Sequence, residues 1–216
     1  MKDINMITKA DMELISRLIP YTIPDEIPLT FHYGNKVIKG IPAEFNPKVY
    51  WRFLDSNVVQ TVIVGEDTEG LELRAEYIEY RDFPVTEWVA YITNNSQKNT
   101  PVLSRIKIMD SELCGTNPVL IYSNGDTCRY DGYEVFTHKI TEKITLSPTD
   151  GTPCNGAFPY MRLIFDEYSI NIAIGWPAQW EVSVAPSENG VIYTAGQQRT
   201  NMYLKPGETI RTPGIN

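Results

Sequence analysis

Apolar and polar residues alternate with a period of two along most of this chain. Leu71, Leu73, Ala75 and Tyr77 are separated by Glu72, Arg74 and Glu76, which predicts a strand with one buried and one solvated face. A strand-like run at 61–64 precedes it across the turn at 67–70, and runs at 85–93, 102–109 and 119–122 follow, with Asn94-Asn95-Ser96 and Asn124-Gly125 as polar connections. The last third repeats the character at 161–165, 169–174, 179–184, 191–195 and 201–204. Residues 30–33 and 36–39 have the form of a hairpin, since Gly34 and Asn35 between them can both take the positive φ of a primed turn. Only the N-terminus has a helical period. Thr8 to Asp11 resembles a capping box ahead of Met12, Leu14, Ile15, Leu18 and Ile19, and Pro20 ends the short helix. Three prolines within 20–28 then hold the chain extended into the first strand.

So many short antiparallel strands must stack or close to hide their edges, and 216 residues suit one large β domain. The expected fold is all-β: a large two-sheet antiparallel sandwich with a short N-terminal helix. Residues 1–27 form the helix and lead-in, and residues 28–216 the sandwich domain. With 42% hydrophobic and 21% charged residues the chain can bury enough surface to offset the entropy of ordering it.

Charge then narrows the partners. A net charge of −8, from 19 Lys+Arg against 27 Asp+Glu with no basic run, argues against nucleic acid. No apolar run reaches the ~20 residues of a membrane helix. The start Met1-Lys2-Asp3-Ile4-Asn5 leads to Asp11 and Glu13 rather than to a signal-peptide core, so a cytoplasmic location without membrane contact is expected. Cys114, Cys128 and Cys154 are odd in number and have no Cys-x-x-Cys spacing or nearby His, so buried or idle thiols are expected, with no metal or other cofactor.

Candidate chemistry is sparse. Nucleophilic catalysis needs a base, usually histidine; His32 and His138 both sit in strand-like runs and read as structural. Glu72, Glu76 and Glu79 read as solvated residues of a sheet surface. Two loops carry more information, 123–131 and 150–160, because they mix Asp and Asn with aromatic rings, the combination that bonds sugar hydroxyls and packs on the C–H face of a pyranose. The sugar-contacting candidates are Asp126, Tyr130, Asp131, Asn155 and Phe158, with ordinary hairpin loops as the competing reading. Trp180 joins them as a possible platform beside Pro177 and Trp176, although at least one of those two rings suits core packing better.

Several strings resemble the α-galactosidases of glycoside hydrolase family 36. They are Ile172-Ala173-Ile174-Gly175-Trp176-Pro177-Ala178-Gln179-Trp180, then Tyr193-Thr194-Ala195-Gly196-Gln197-Gln198-Arg199-Thr200, then Leu204-Lys205-Pro206-Gly207-Glu208 running on to Arg211-Thr212-Pro213. Upstream, Gly70-Leu71-Glu72-Leu73 and Glu79-Tyr80-Arg81-Asp82-Phe83-Pro84-Val85-Thr86-Glu87-Trp88 are similar to the same family, so the resemblance covers roughly 28–213. It implies a supersandwich related to the galactose mutarotase sandwich, placed N-terminal to a (β/α)8 barrel that holds two catalytic aspartates. No catalytic residue carries over. What the resemblance implies for this chain is a non-catalytic N-terminal domain that supports homo-oligomers and borders a galactoside site. Two other readings stay open: a stand-alone carbohydrate-binding module, and a mutarotase-like epimerase, which the two histidines serve poorly.

Overall fold

The longest alternating runs become the longest strands. The computed structural model describes residues 8–18 and 22–216. Among these, one helix, α1 (Lys9–Leu18), precedes seventeen strands. The first six are β1 (Thr30–Tyr33), β2 (Lys36–Lys39), β3 (Lys48–Phe53), β4 (Val58–Glu66), β5 (Leu71–Tyr80) and β6 (Val85–Asn94). They are followed by β7 (Leu103–Cys114), β8 (Val119–Ser123), β9 (Val135–Lys139), β10 (Ile144–Leu146) and β11 (Tyr160–Ile164). The last are β12 (Ser169–Gly175), β13 (Trp180–Pro186), β14 (Gly190–Gln197), β15 (Asn201–Met202), β16 (Thr209–Arg211) and β17 (Gly214–Ile215).

They pair antiparallel into two sheets. The seven-stranded sheet runs β10-β13-β14-β7-β1-β2, with β15 beside β7; the ten-stranded sheet runs β3-β4-β5-β6-β17-β12-β11-β8-β9, with β16 beside β6. The fold is therefore the all-β, two-sheet sandwich with one short helix that the alternation predicts. Leu71, Leu73, Ala75 and Tyr77 of β5 are all but inaccessible and belong with Leu103, Ile106 and Ile108 of β7 to one continuous core. Tyr193 of β14 is fully buried, and its hydroxyl lies 3.0 Å from the Met161 sulfur, so the two sheets are bonded as well as packed. Burial pushes that hydroxyl's pKa well above the usual tyrosine range.

One very short strand has a large effect on topology. β17 lies between β6 and β12, pairing Ile215 with Trp88 on one side and with Ile174 on the other, and so joins the two halves of the larger sheet. The Thr212 hydroxyl ahead of it accepts the Ala90 N–H at 3.0 Å.

At the N-terminus the capping box is present: Asp11 N–H donates to the Thr8 hydroxyl at 3.3 Å and Thr8 N–H donates to the Asp11 carboxylate at 2.8 Å. Ile19 and Pro20 lie outside the described residues. Three expectations change. Residues 24–26 form a 3-10 turn rather than an extended run, because Pro24 takes a first-turn position that needs no N–H. In the β1–β2 turn only Gly34 takes a positive φ, 58°, while Asn35 does not. Strands β3, β10, β16 and β17 do not show in the alternation; β3 is exposed at every position, and the others are too short for a pattern. Cys114, Cys128 and Cys154 are free thiols, the first two exposed and the third half-buried. No described helix is long and apolar enough to cross a membrane.

Candidate functional site

The two polar loops singled out in the sequence meet. Gly125, after β8, forms a bridge with Asn155 of the loop between β10 and β11. Asp126 N–H donates to the Cys154 carbonyl at 2.9 Å, and Phe158 N–H donates to the Ser123 carbonyl at 2.9 Å. Gly125 permits this contact: its φ is +66°, and a Cβ there would stand 2.0 Å from the Cys154 carbonyl oxygen. Tyr133 N–H donates to the Gly125 carbonyl at 2.7 Å and folds the first loop back on itself. The Asn124 side-chain amide donates to the Asp131 carbonyl at 2.7 Å and closes the same turn.

Most of the predicted polar contacts are spent inside this assembly. Asp131 accepts from Arg129 Nη2 at 2.7 Å and from the Thr127 hydroxyl at 3.2 Å. The Arg129 guanidinium beside it holds the Asp131 carboxyl below the usual carboxylate range. A general acid needs the opposite shift, so Asp131 is unsuited to that role. Asp126 accepts the Cys128 N–H at 2.9 Å, an Asx turn, and the Asn155 amide donates to Asp150 at 2.6 Å. Tyr130 projects fully into solvent at the loop tip.

The Asp131 shift sets a pH window. Because its folded pKa lies below the unfolded value of ~3.9, the Arg129 contact contributes fully above that value and is lost as pH falls below it through the folded pKa. The Arg129 Nε–H resonance is expected to stay constant between about pH 8 and pH 5 and to move only below about pH 4; a titration near pH 6 would contradict the pairing.

Trp180 does not belong to the sugar-facing set. Its ring is 0% exposed in the sandwich core, and its Nε1–H donates to the Pro153 carbonyl at 2.8 Å. The ring thus anchors the second loop from beneath, because a face packed on all sides cannot stack on a ligand. Phe158 does reach the surface, in company the sequence reading missed. Tyr133 meets it edge-on with centroids 5.5 Å apart, and Tyr160 lies tilted against it at 5.3 Å. Tyr133 and Tyr160 are 55% and 61% exposed. Phe158 and Tyr160 are two residues apart and hence on one face, a period-two signal that the sequence does contain. From Tyr160 a shallow groove of about 440 Å³ continues over the outer face of the sheet, bordered by Ser123, Val135, Arg162, Asn171 and Asn216. Exposed rings beside hydroxyl, amide and guanidinium groups can stack on a sugar ring and bond its hydroxyls. His32 and His138 stand on different sheets and take no part. A second hollow, about 340 Å³ between α1 and the sheet ends, is lined mainly by apolar side chains such as Leu14, Trp88, Met109 and Leu113.

No family model matches the chain, and no curated protein does. Solved structures do. The α-galactosidase from Lactobacillus brevis superposes with a TM-score of 0.66 at 17% identity, over 87% of this chain and 28% of that one. This is a fold found within α-galactosidases. The GH36 α-galactosidase AgaB from Geobacillus stearothermophilus matches with a TM-score of 0.64 at 14% identity, over 87% of this chain and 29% of its own. AgaA from the same organism, solved in complex with raffinose, gives a TM-score of 0.64 at 14% identity over the same shares. The chain spans less than a third of these α-galactosidases, and its fold matches theirs over 87% of its own length.

Proposed function

We propose that this chain is the non-catalytic N-terminal sandwich of an α-galactosidase-like glycoside hydrolase, which supports its oligomer and whose fused loops border a galactoside site beside a (β/α)8 barrel. The observation that carries the reading is the likeness of the sandwich to α-galactosidases, GH36 members among them, over 87% of the chain at 14–17% identity. The loop assembly adds a surface of the right chemistry, with the rings of Tyr133, Phe158 and Tyr160 in contact on the same pair of joined loops that carries Asp126 and Asp131. The carboxylates on that surface serve as hydrogen-bond acceptors, and the retaining chemistry belongs to the barrel aspartates. The deciding observation is the reading frame after codon 216. It is expected to continue for about 250 residues of alternating strand and helix patterns with aspartates at strand ends. An immediate stop codon would overturn the reading, as would cleavage of an aryl α-galactoside by the 216-residue chain alone.

The exposed aromatic ladder favours one second reading, a stand-alone carbohydrate-binding module. It predicts that galactose, melibiose or raffinose alters the Tyr and Trp fluorescence of the isolated chain and saturates in the millimolar range, about 4 kcal/mol. Phe158→Ala should then weaken binding about tenfold, the value of one aromatic contact. An unaltered affinity would place the sugar elsewhere.

A further inference from the structure

Strand β3 is an edge of the ten-stranded sheet, with β4 on one side only. All its residues are exposed, and one face carries Val49, Trp51 and Phe53, 42%, 68% and 53% exposed. The Trp51 and Phe53 rings meet edge-on at 5.8 Å, and the Arg81 guanidinium lies 4.8 Å over Phe53. Soluble proteins blunt such an edge with a proline, a bulge or an inward charge. β3 has no proline or bulge within it, since its pairing with β4 runs from Lys48 to Phe53 without a register shift and Pro47 stands just outside, and its charges, Lys48 and Arg52, stand on the face opposite Val49, Trp51 and Phe53.

The hairpin fixes which backbone groups are unspent. Leu54 N–H donates to the Val58 carbonyl at 2.9 Å, so by the alternation of an antiparallel ladder Lys48, Tyr50 and Arg52 also turn their backbone groups toward β4. Val49, Trp51 and Phe53 turn theirs outward. The unpaired donors and acceptors therefore belong to the same residues that carry the exposed apolar face.

We propose that β3 pairs antiparallel with β3 of a second copy of this chain, about a two-fold axis through Trp51. The two ten-stranded sheets then become one continuous sheet. Trp51 faces Trp51 of the second copy, Val49 faces its Phe53, and every outward backbone group finds a partner. On the other face Tyr50 lies opposite Arg52, an arrangement suited to a cation–π contact. Neighbouring registers are worse. An axis at Tyr50 sets Lys48 against Arg52 and brings Pro47, which has no N–H, opposite Phe53. An axis at Arg52 sets two guanidinium groups against each other. Only the Trp51 register of these three is free of opposed like charges, and self-complementarity of this kind is what a two-fold interface requires.

This inference deepens the oligomeric part of the proposed function and rests on it. Light scattering at about 50 μM, above the micromolar constants of weak interfaces, is expected to give twice the chain mass of 24.6 kDa. Trp51→Lys sets two ammonium groups face to face and should return the mass to that of one chain. Trp51→Pro should do the same by removing an outward N–H that β4 does not use; if it misfolds, Trp51→Lys decides. Trp51→Cys is expected to form an intermolecular disulfide with itself on mild oxidation, since bonded antiparallel pairs hold Cα atoms about 5.5 Å apart. Tyr50→Cys should add nothing beyond the wild-type background from Cys114, Cys128 and Cys154. A single-chain mass for the wild type would overturn the inference together with the oligomeric reading. A dimer that survives Trp51→Lys and gives no Trp51→Cys cross-link would overturn the β3 interface alone.

Discussion

Trp180→Ala is expected to lower the stability of this domain by about 3–5 kcal/mol, the range for removing a large buried aromatic side chain. For a domain of about 200 residues that corresponds to a fall in Tm of roughly 10 °C or more. The indole is 0% exposed and packs among Val182, Val184 and the rest of the shared core, so its removal leaves a cavity rather than a bare surface. Its Nε1–H also holds the Pro153 carbonyl, and its own carbonyl accepts the Ser147 hydroxyl at 2.7 Å. Core and second loop should therefore loosen together. Trp180→Phe keeps most of the volume but loses the Pro153 bond, and should cost less. Thermal and urea denaturation of the three proteins would settle this; a loss below about 1 kcal/mol for the alanine variant would mean that the ring is not part of the core.

Gly125→Ala should separate the two loops while leaving the sandwich intact. A side chain at φ +66° costs about 1–2 kcal/mol in itself. The added methyl would also require the Cys154 carbonyl, 2.0 Å away, to move, and that carbonyl is the acceptor for Asp126 N–H. Roughly 3 kcal/mol of local stability is at stake once the lost bond is included. Amide hydrogen exchange gives the direct readout: Asp126, Tyr133 and Phe158 should exchange at least about tenfold faster, and the β5–β6 pairing should be unchanged. Uniform acceleration across the chain would show that the loop bridge is part of the global core, whereas unchanged exchange would show that the bridge does not hold the loops.

The resemblance to GH36 α-galactosidases was read from strings such as Glu79-Tyr80-Arg81-Asp82-Phe83-Pro84 and Leu204-Lys205-Pro206-Gly207, and the solved structures match the sandwich fold over 87% of the chain. The loops 123–131 and 150–160 were legible as polar, aromatic and glycine-containing segments. Their meeting was not: Gly125 and Asn155 are 30 positions apart, and nothing local to either announces the other. Composition placed Asp126, Asp131 and Asn155 in a sugar-binding vocabulary, and the structure shows each already bonded within its own loop.

The sequence by itself determined the longer strands and the sandwich class, because period-two alternation and turn chemistry are local properties, whereas the exposed β3 and the very short β10, β16 and β17 carry no such pattern. It also determined the N-terminal cap of α1, which a four-residue pattern suffices to specify. The tertiary structure decided which aromatic rings are buried and which are presented. Trp180 and Tyr160 look alike in a string of letters, but one enters the space between two sheets and the other stands on the outer face, and only strand order and register assign those places. It decided as well that β3 is an unpaired edge with an apolar face and that β17 joins the halves of the larger sheet. Edges and seams depend on contacts distant in the chain, and the free energy that selects them comes from burial across the whole molecule rather than from any one segment.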